Sequence, residues 1–405
     1  MEIHNFLLQI VAIILTARIF AEFAAWMGAP AIIGELCAGI VLGPSLLGWI
    51  EPNTVISLLA EIGIILLLFE VGLETDIGRL MRSGGKAAVV ALAGFVFPFI
   101  LGFALSYYVF TLPLLPALFV GGTLTATSIG ITVRVLADLG RHRSNEGQIV
   151  VGAAVVDDLL GIFLLAVLYQ LSTTGVVDVL SVGHIVLYVS VFFFAAPVVA
   201  KVLAPAIKHC HNNSDIPGMI PILLVSLVLL FAATAKYVGA PELLGGFVAG
   251  VALSRRFFLP FGAALTMDPV FTQRIHTEMK PIIRLFTPIF FVMVGLSLDL
   301  RAVDWSSGFI WAFSLSIAAV AIAGKLAGPW FIREPIPSRI AIGMAMVPRG
   351  EVGLVFAELG RVGNVFTQEV YAGMILVIMY TTLAAPFWIK SYYRFIGDRL
   401  PKNSG

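Results

Sequence analysis

The sequence predicts an all-α membrane protein of about thirteen transmembrane helices. Of its 405 residues, 59% are hydrophobic and only 12% are charged, whereas about a quarter of the residues in soluble domains carry a charge. Apolar stretches of about twenty residues recur from end to end, and each can cross roughly 30 Å of hydrocarbon as a helix. The short alternating segments that are typical of a membrane β-barrel are absent.

Proline and glycine residues separate the successive apolar stretches, because both interrupt regular helices. The longest polar connection is 258–280, and it is expected to form an interfacial helix on the cytoplasmic surface. The predicted spans are 5–26, 30–49, 55–73, 86–110, 114–137, 147–171, 182–204, 218–237, 241–257, 281–298, 308–331, 337–360 and 367–393.

The 25 Lys and Arg residues segregate between the two sides that alternating spans define. Nineteen fall on one side, three on the other and three within spans. Cytoplasmic loops of membrane proteins are enriched in Lys and Arg. We therefore expect a multi-pass protein of the cell (inner) membrane, with its N-terminus outside and its C-terminus in the cytoplasm.

The two halves of the chain share short motifs in the same order. The motif GAP at 28–30 returns at 239–241, and VGL at 71–73 returns at 294–296. Equivalent spans lie seven helices apart, an odd number, so the two halves are expected to have opposite orientations. We predict a first repeat at about 1–171, a linking helix at about 182–204 and a second repeat at about 218–393. Inverted repeats with a binding site near the midplane are common in secondary transporters.

Spans five and twelve carry residues that interrupt a helix. Span five contains GGTLTATSIG at 121–130, with Thr125, Thr127 and Ser128, and PRGE at 348–351 places Arg349 and Glu351 within span twelve. Interrupted backbone at this depth is tolerated only when it is buried in protein or lines an aqueous cavity. Two interruptions at equivalent positions of the repeats indicate a transport site. The alternative is a proline-kinked helix with an Arg349–Glu351 pair, and hydroxyls that bond to nearby backbone.

Asp157 and Asp158 lie in the middle of span six, with apolar residues on both sides. A carboxylate at the bilayer centre costs at least about 2.5 kcal/mol on insertion scales, so packing alone does not explain the pair. A buried carboxylate pair can hold a proton or bind a hard cation through oxygen, but one oxygen cannot do both at once. The alternative is a structural carboxylate that is permanently paired.

Lys325 lies within span eleven, where a lone ammonium needs a counter-charge. The carboxylates expected at that depth are those of Asp157, Asp158, Glu351 and Glu70. We expect Asp157 to pair with Lys325, which leaves Asp158 for an ion. Snorkelling of Lys325 to a membrane surface is the alternative. Glu70 is also a candidate for the wall of an aqueous funnel.

Five segments resemble those of the monovalent cation:proton antiporter-2 family, whose bacterial sodium/proton antiporters have an NhaA-type fold. They are GAPAIIGELCAGIVLGPSLLG at 28–48, EIGIILLLFEVGLETD at 61–76, TATSIGIT at 125–132, VDDL at 156–159 and PRGEVGL at 348–354. The resemblance implies two broken helices that cross near the midplane. It also implies a homodimer that works by alternating access. The ion-transporting core would comprise about 86–171 and 308–393, and the remaining helices would form the dimerisation part.

The resemblance also implies roles for individual residues. Asp158 would bind the cation together with Thr127. Ser128, the next residue in the chain, is a further candidate ligand. Asp157 would pair with Lys325. Members of the family with both acids and the lysine tend to be electrogenic and to prefer Na⁺ or Li⁺. The expected function is thus exchange of Na⁺ or Li⁺, with K⁺ as a third candidate, for protons.

Other functions fit the sequence less well. Kef-like potassium exchangers carry Gln in place of the first acid and a cytoplasmic regulatory domain, whereas this chain has Asp157 and ends at Gly405. A sodium-coupled symporter of small molecules stays open as an alternative on the same architecture. An intramembrane aspartyl protease needs carboxylates from two helices, and a potassium channel needs a filter loop. The expected partners are the cation, protons and lipid, with no cofactor, no enzymatic activity and no nucleic acid.

Overall fold

The computed structural model describes most of the chain. The described residues are 3–74, 77–174, 183–184, 187–188, 191–192, 195–196, 198–199, 219–239, 242–253, 256–258, 264–266 and 269–396. The predicted linking helix at 182–204 lies largely outside them.

Fourteen α-helices account for nearly all of the described structure. A π-helical turn at Leu105–Val109 follows α4, and 3₁₀ turns lie at Leu300–Ala302 and Gly328–Phe331. The strands β1 (Arg256–Phe258) and β2 (Ala264–Thr266) form a short antiparallel pair. The helices are α1 Ile3–Trp26, α2 Ala31–Leu42, α3 Thr54–Glu74, α4 Ile77–Ala104, α5 Leu114–Thr125, α6 Ile129–Asp138, α7 Asn145–Thr174, α8 Met219–Tyr237, α9 Glu242–Ala252, α10 Pro269–Leu296, α11 Gly308–Ala327, α12 Ile336–Ala345, α13 Glu351–Val362 and α14 Gln368–Ile396.

The predicted class, an all-α membrane protein, is confirmed. Among the described residues, nine helical segments are long and apolar enough to cross a membrane, and α2 and α9 are shorter apolar helices. The predicted spans five and twelve are each divided into two half-helices, α5 with α6 and α12 with α13. The total of about thirteen spans stays a prediction.

Several predicted boundaries differ from the structure, and two of the differences have a clear physical cause. The span expected at 30–49 ends as a helix at Leu42, because Gly43 has an extended backbone and Pro44 follows it. Among the described residues, the helix expected within 258–280 is not a separate element, since 269–280 form the first part of α10, which continues through Pro281. A proline within a helix removes one backbone hydrogen bond and kinks the helix without always ending it.

The chain divides into two compact units. Unit one comprises 1–53, 84–178 and 291–405, and unit two comprises 54–83 and 179–290. Both broken helices, together with α7, α11 and α14, belong to unit one. In unit two, α3 packs against α9, which in turn packs against α8.

Close glycine contacts repeat between the two halves of the chain. A Cβ atom on Gly34 of α2 would collide with the carbonyl group of Phe20 in α1. A Cβ atom on Gly245 of α9 would collide in the same way with the carbonyl group of Phe231 in α8. Both residues of the second contact lie 211 positions after their counterparts in the first. The two helix pairs therefore pack at equivalent points.

A second pair of contacts follows the same rule. In unit one, a Cβ on Gly39 of α2 would lie 2.8 Å from the Cα of Gly295 in α10. In unit two, a Cβ on Gly72 of α3 would lie 3.1 Å from the Cα of Gly250 in α9. Gly250 is the counterpart of Gly39 at the offset of 211, and Gly295 that of Gly72 at the offset of 223. Contacts between small residues allow membrane helices to approach closely, and here they preserve the repeat.

Candidate functional site

The first interruption lies between α5 and α6. Ala126 and Ser128 both have extended backbones, with ψ angles of 136° and 104°. Thr125 closes α5 by donating its hydroxyl hydrogen to the carbonyl of Gly122 at 2.8 Å. Ser and Thr side chains compete with helical hydrogen bonds in this way, which explains why the helix stops within the TATS segment.

The second interruption lies between α12 and α13. Pro348 has no backbone N–H and restricts the residue before it, and Gly350 has a non-helical backbone with φ −149° and ψ −134°. Gly350 also provides room, because a Cβ there would lie 2.5 Å from the Oγ of Ser128. The glycine is therefore required by the close approach of the two interruptions.

The two non-helical segments, 126–128 and 346–350, cross each other, and we call this contact region the crossing. The backbone N–H of Ser128 donates to the carbonyl of Pro348 at 2.8 Å. The guanidinium of Arg349 donates through Nη1 to the carbonyl of Ala126. A broken helix leaves backbone N–H and carbonyl groups without helical partners. These bonds supply hydrogen-bond partners for such groups, which the hydrocarbon of a bilayer cannot do. The two broken helices implied by the resemblance are thus present and do cross.

Two threonines add side-chain hydrogen bonds to the crossing. Thr127 donates its hydroxyl hydrogen to the carbonyl of Met346 at 3.0 Å, and Thr132 donates to the carbonyl of Ala345 at 2.7 Å. Both acceptors lie at the C-terminal end of α12, where carbonyl groups lack helical donors. The hydroxyl groups therefore join the start of α6, together with the residue before its N-cap, to the C-terminal end of α12.

The acidic pair lies on a helix that packs against this region. Asp157 and Asp158 of α7 are buried, with 0% and 3% of their surface exposed. α7 packs against both halves of each broken helix. A Cβ on Gly161, one turn after Asp157, would lie 3.9 Å from a methyl group of Val352 at the start of α13. The face of α7 that carries Asp157 is thus next to the second interruption.

Lys325 and Asp157 form a fully buried ion pair. The Nζ of Lys325 lies 2.8 Å from the Oδ2 of Asp157, and both side chains are 0% exposed. The structure therefore brings together the two residues that charge balance pairs in the sequence, rather than allowing Lys325 to snorkel. Asp158 interacts with Lys325 electrostatically. The part that these groups take in transport stays a prediction.

The remaining candidates are placed differently. Thr125 lies at the crossing, and its hydroxyl bonds to the backbone of its own helix. Glu351 begins α13, and its side chain lies outside the described residues. Glu70 belongs to unit two, where its carboxylate is 3.7 Å from Nε2 of His276. Glu70 is thus part of a different charge pair from the Asp157–Lys325 pair of unit one.

Three residues of the site were not identified from the sequence. Gly94 of α4 lies beside Lys325, because a Cβ there would be in ordinary van der Waals contact with the lysine, 3.5 Å from its Cδ. Thr132 binds α12, and Thr382 of α14 donates a hydrogen bond to the carbonyl of Arg349. A polar residue in an apolar span is a signal that could have indicated Thr132 and Thr382. Gly94 has no such signal, because glycine is frequent in membrane helices.

Comparison with known proteins agrees with this architecture. The family model for the transmembrane sodium/hydrogen exchanger matches residues 11–394. The high-affinity Na⁺/H⁺ antiporter NhaS3 of Synechocystis sp. is 32% identical, over 96% of this chain and 89% of the relative. The Na⁺/H⁺-K⁺ antiporter GerN of Bacillus cereus is 31% identical, over 95% of this chain and 96% of the relative.

A solved structure has the same fold. The sodium proton antiporter MjNhaP1 of Methanocaldococcus jannaschii matches with a TM-score of 0.69 and 16% sequence identity. The match covers 97% of this chain and 98% of the other. The resemblance to monovalent cation:proton antiporters that the sequence motifs indicate is thus confirmed, and the chain belongs to the family of transmembrane sodium/hydrogen exchangers.

Proposed function

We propose that this chain is an electrogenic secondary antiporter that exchanges Na⁺ or Li⁺, with K⁺ as a third candidate, for protons by alternating access. The observation that carries the proposal is the pair of buried carboxylates on α7, packed against two broken helices, with one carboxylate neutralised by Lys325. Membership of the sodium/hydrogen exchanger family supports it. The name of GerN, which includes potassium, keeps K⁺ among the candidates.

The two carboxylates have different tasks in this proposal. Lys325 holds the Oδ2 of Asp157 at 2.8 Å, so the charge of Asp157 is balanced in the absence of a substrate cation. Asp158 is the group offered alternately to a proton and to a cation. A carboxylate oxygen is a good ligand for a hard cation and equally a proton acceptor. Competition for one carboxylate couples the two substrates.

The hydroxyl groups of the first interruption complete the proposed cation site. Thr127 donates its hydroxyl hydrogen to Met346, which leaves its oxygen lone pairs free to accept. Ser128 is the next residue in the chain and lies at the same crossing. Thr127 and Ser128 would therefore supply neutral oxygen ligands beside the charged oxygen of Asp158. Arg349 and Glu351 belong to the same region as charges of the second broken helix.

We further propose the arrangement in the membrane. The basic loops would face the cytoplasm of the cell (inner) membrane, with the N-terminus outside and the C-terminus inside. The core part, about 86–171 and 308–393, would carry the ion, and the remaining helices would form a homodimer. The relatives named above are transporters, in agreement with a function other than catalysis.

The test is exchange in proteoliposomes that contain the purified protein and a pH-sensitive dye. Adding Na⁺, Li⁺ or K⁺ outside should dissipate an imposed pH gradient, and the order of the three cations gives the preference. Asp158→Asn should abolish the response to every cation while the protein still elutes as a folded species. Full activity of Asp158→Asn would show that the site is elsewhere. Proton release when Na⁺ is added to purified protein separates an exchanger from a sodium-coupled symporter.

A further inference from the structure

Arg349 has hydrogen-bonding capacity that the structure does not use. Its side chain is 0% exposed, and Nη1 donates to the carbonyl of Ala126. Its Nε and Nη2 atoms make no hydrogen bond with any residue that the structure describes. A buried guanidinium with unused donors is costly. A cap on the end of α5 needs only one of the five N–H groups, so it does not account for the rest.

Asp157 has a matching unused acceptor. Its Oδ2 binds Lys325, whereas its Oδ1 is buried and makes no hydrogen bond with the described residues. The carboxylate can accept from two donors on different sides. The structure thus contains a half-used carboxylate and a half-used guanidinium, each fully buried in unit one.

The two groups are close enough to influence each other. Val352 lies three residues after Arg349 on α13, which packs against α7. A Cβ on Gly161, one turn from Asp157 on the same face of α7, would lie 3.9 Å from Val352. Arg349 and Asp157 interact electrostatically, and so do Arg349 and Lys325. Asp157 is therefore the described carboxylate on the face of α7 that is next to the segment carrying Arg349.

We propose that Arg349 is a second counter-charge for Asp157, a positioning residue whose free guanidinium face takes the carboxylate when Lys325 leaves it. Arginine is suited to this task because it is always charged and binds carboxylates with two donors at once. The role of Arg349 in transport rests on the proposed function, in which the charge of Asp157 must stay neutralised while Asp158 exchanges a proton for a cation. The charge balance itself is a property of the folded protein and can be measured without transport.

The test is a set of variants measured by thermal unfolding of the purified protein in detergent. Lys325→Gln and Arg349→Gln should each lower Tm moderately, because one counter-charge remains. The double variant should lower Tm by clearly more than the sum of the two single shifts. Adding Asp157→Asn to the double variant should recover the excess, because the uncompensated charge is gone. Arg349→Lys in the Lys325→Gln background keeps a positive charge and should therefore not show the extra fall in Tm. This variant replaces Arg349→Gln as the test if Arg349→Gln does not fold.

Two results would overturn the inference. Additive Tm shifts for Lys325→Gln and Arg349→Gln would mean that Arg349 only caps α5. If the Tm shift of Arg349→Gln were coupled to that of Glu351→Gln and not to that of Asp157→Asn, the guanidinium would balance Glu351 instead of Asp157.

A transport assay on the same variants separates this inference from the proposed function. Lys325→Gln should retain cation-dependent exchange at a reduced rate, and Lys325→Gln/Arg349→Gln should fall at least tenfold below it. Inactivity of the wild type with all three cations would refute the proposed function, yet the Tm cycle would still decide about Arg349. Exchange by the double variant equal to that of Lys325→Gln would refute the counter-charge.

Discussion

The guanidinium of Arg349 donates a hydrogen bond to the carbonyl of Ala126, and the two residues are 223 positions apart. The same offset relates the VGL motifs of the two repeats. The bond therefore joins positions of the two broken helices that are equivalent at this offset. One copy supplies a carbonyl and the other a cation, so the crossing is asymmetric in charge.

Lys325→Gln should change the charge moved per cation more than it changes the cation concentration for half-maximal exchange. Lys325 binds Asp157 rather than Asp158, so the proposed cation ligand keeps its oxygens. Capacitive currents and cation flux on the same liposomes give the ratio. Lys86→Gln is the matched control, because Lys86 forms a partly exposed pair with Glu334 at 2.6 Å and should leave the ratio unchanged. A large rise in the half-maximal concentration with an unchanged ratio would contradict the assignment.

Thr132→Val should destabilise the protein by about 1 kcal/mol, since it removes a buried hydrogen bond between α6 and α12. Thr123→Val is the control, because Thr123 is equally buried and bonds only to Phe119 of its own helix. Denaturant unfolding in detergent measures both. Equal losses for the two variants would show that the crossing gains nothing from this hydroxyl.

Thr127→Val should weaken cation binding as well as stability, because Thr127 is the proposed neutral ligand. The measurement is the cation concentration for half-maximal proton release, compared with that of Thr132→Val, which should keep the wild-type value. The ligand proposal fails if Thr127→Val and Thr132→Val give the same affinity.

Gly39→Ala should cost about 1–3 kcal/mol, because its new Cβ would meet the backbone of α10 at Gly295 and force the helices apart. Gly84→Ala in α4 should be neutral or stabilising by about 0.5–1 kcal/mol, since no atom lies within 4 Å of its Cβ position. Thermal unfolding in detergent compares the two variants directly. If Gly84→Ala lost stability and Gly39→Ala did not, the close contact at Gly39 would not be what requires a glycine there.

Cysteine labelling should report the proposed orientation. In a background of Cys37→Ala and Cys210→Ser, Arg143→Cys should react with an impermeant maleimide only from the cytoplasmic side, and Ser306→Cys only from outside. Arg143 and Ser306 are both exposed, so a missing reaction reflects the side of the membrane rather than burial. Labelling of the two cysteines from the same side would be incompatible with the assigned loops.

The sequence predicted the local features of the site well. A proline with two charges at 348–351, and a cluster of hydroxyl and glycine residues at 121–130, are unusual enough in apolar spans to place the two interruptions. The charge of Lys325 needs a carboxylate partner in hydrocarbon, and few carboxylates are predicted at its depth. The structure places the Oδ2 of Asp157 at 2.8 Å from the Nζ of Lys325. Both inferences depend on the cost of polar groups in lipid, which a sequence exposes directly.

Other features depend on three-dimensional packing and could not be predicted. The start of α10 at Pro269 depends on whether a helix continues through Pro281, which neighbouring contacts decide. The hydrogen bond from Arg349 to Ala126 requires the crossing geometry, because charge balance alone would pair the arginine with Glu351. The nearness of Gly94 to Lys325 depends on the packing of two helices that are far apart in the chain.

The matched glycine contacts have a consequence for biosynthesis. In the opposite orientations that the sequence predicts, the same helix pair enters the bilayer once from each side, so the shared glycine pattern would not encode the direction of insertion. Direction would then be specified by what differs between the copies, and Lys and Arg residues in the loops are the general determinant of orientation. Transplanting loop charges from one repeat to the other should therefore produce chains inserted upside down that still form each glycine contact.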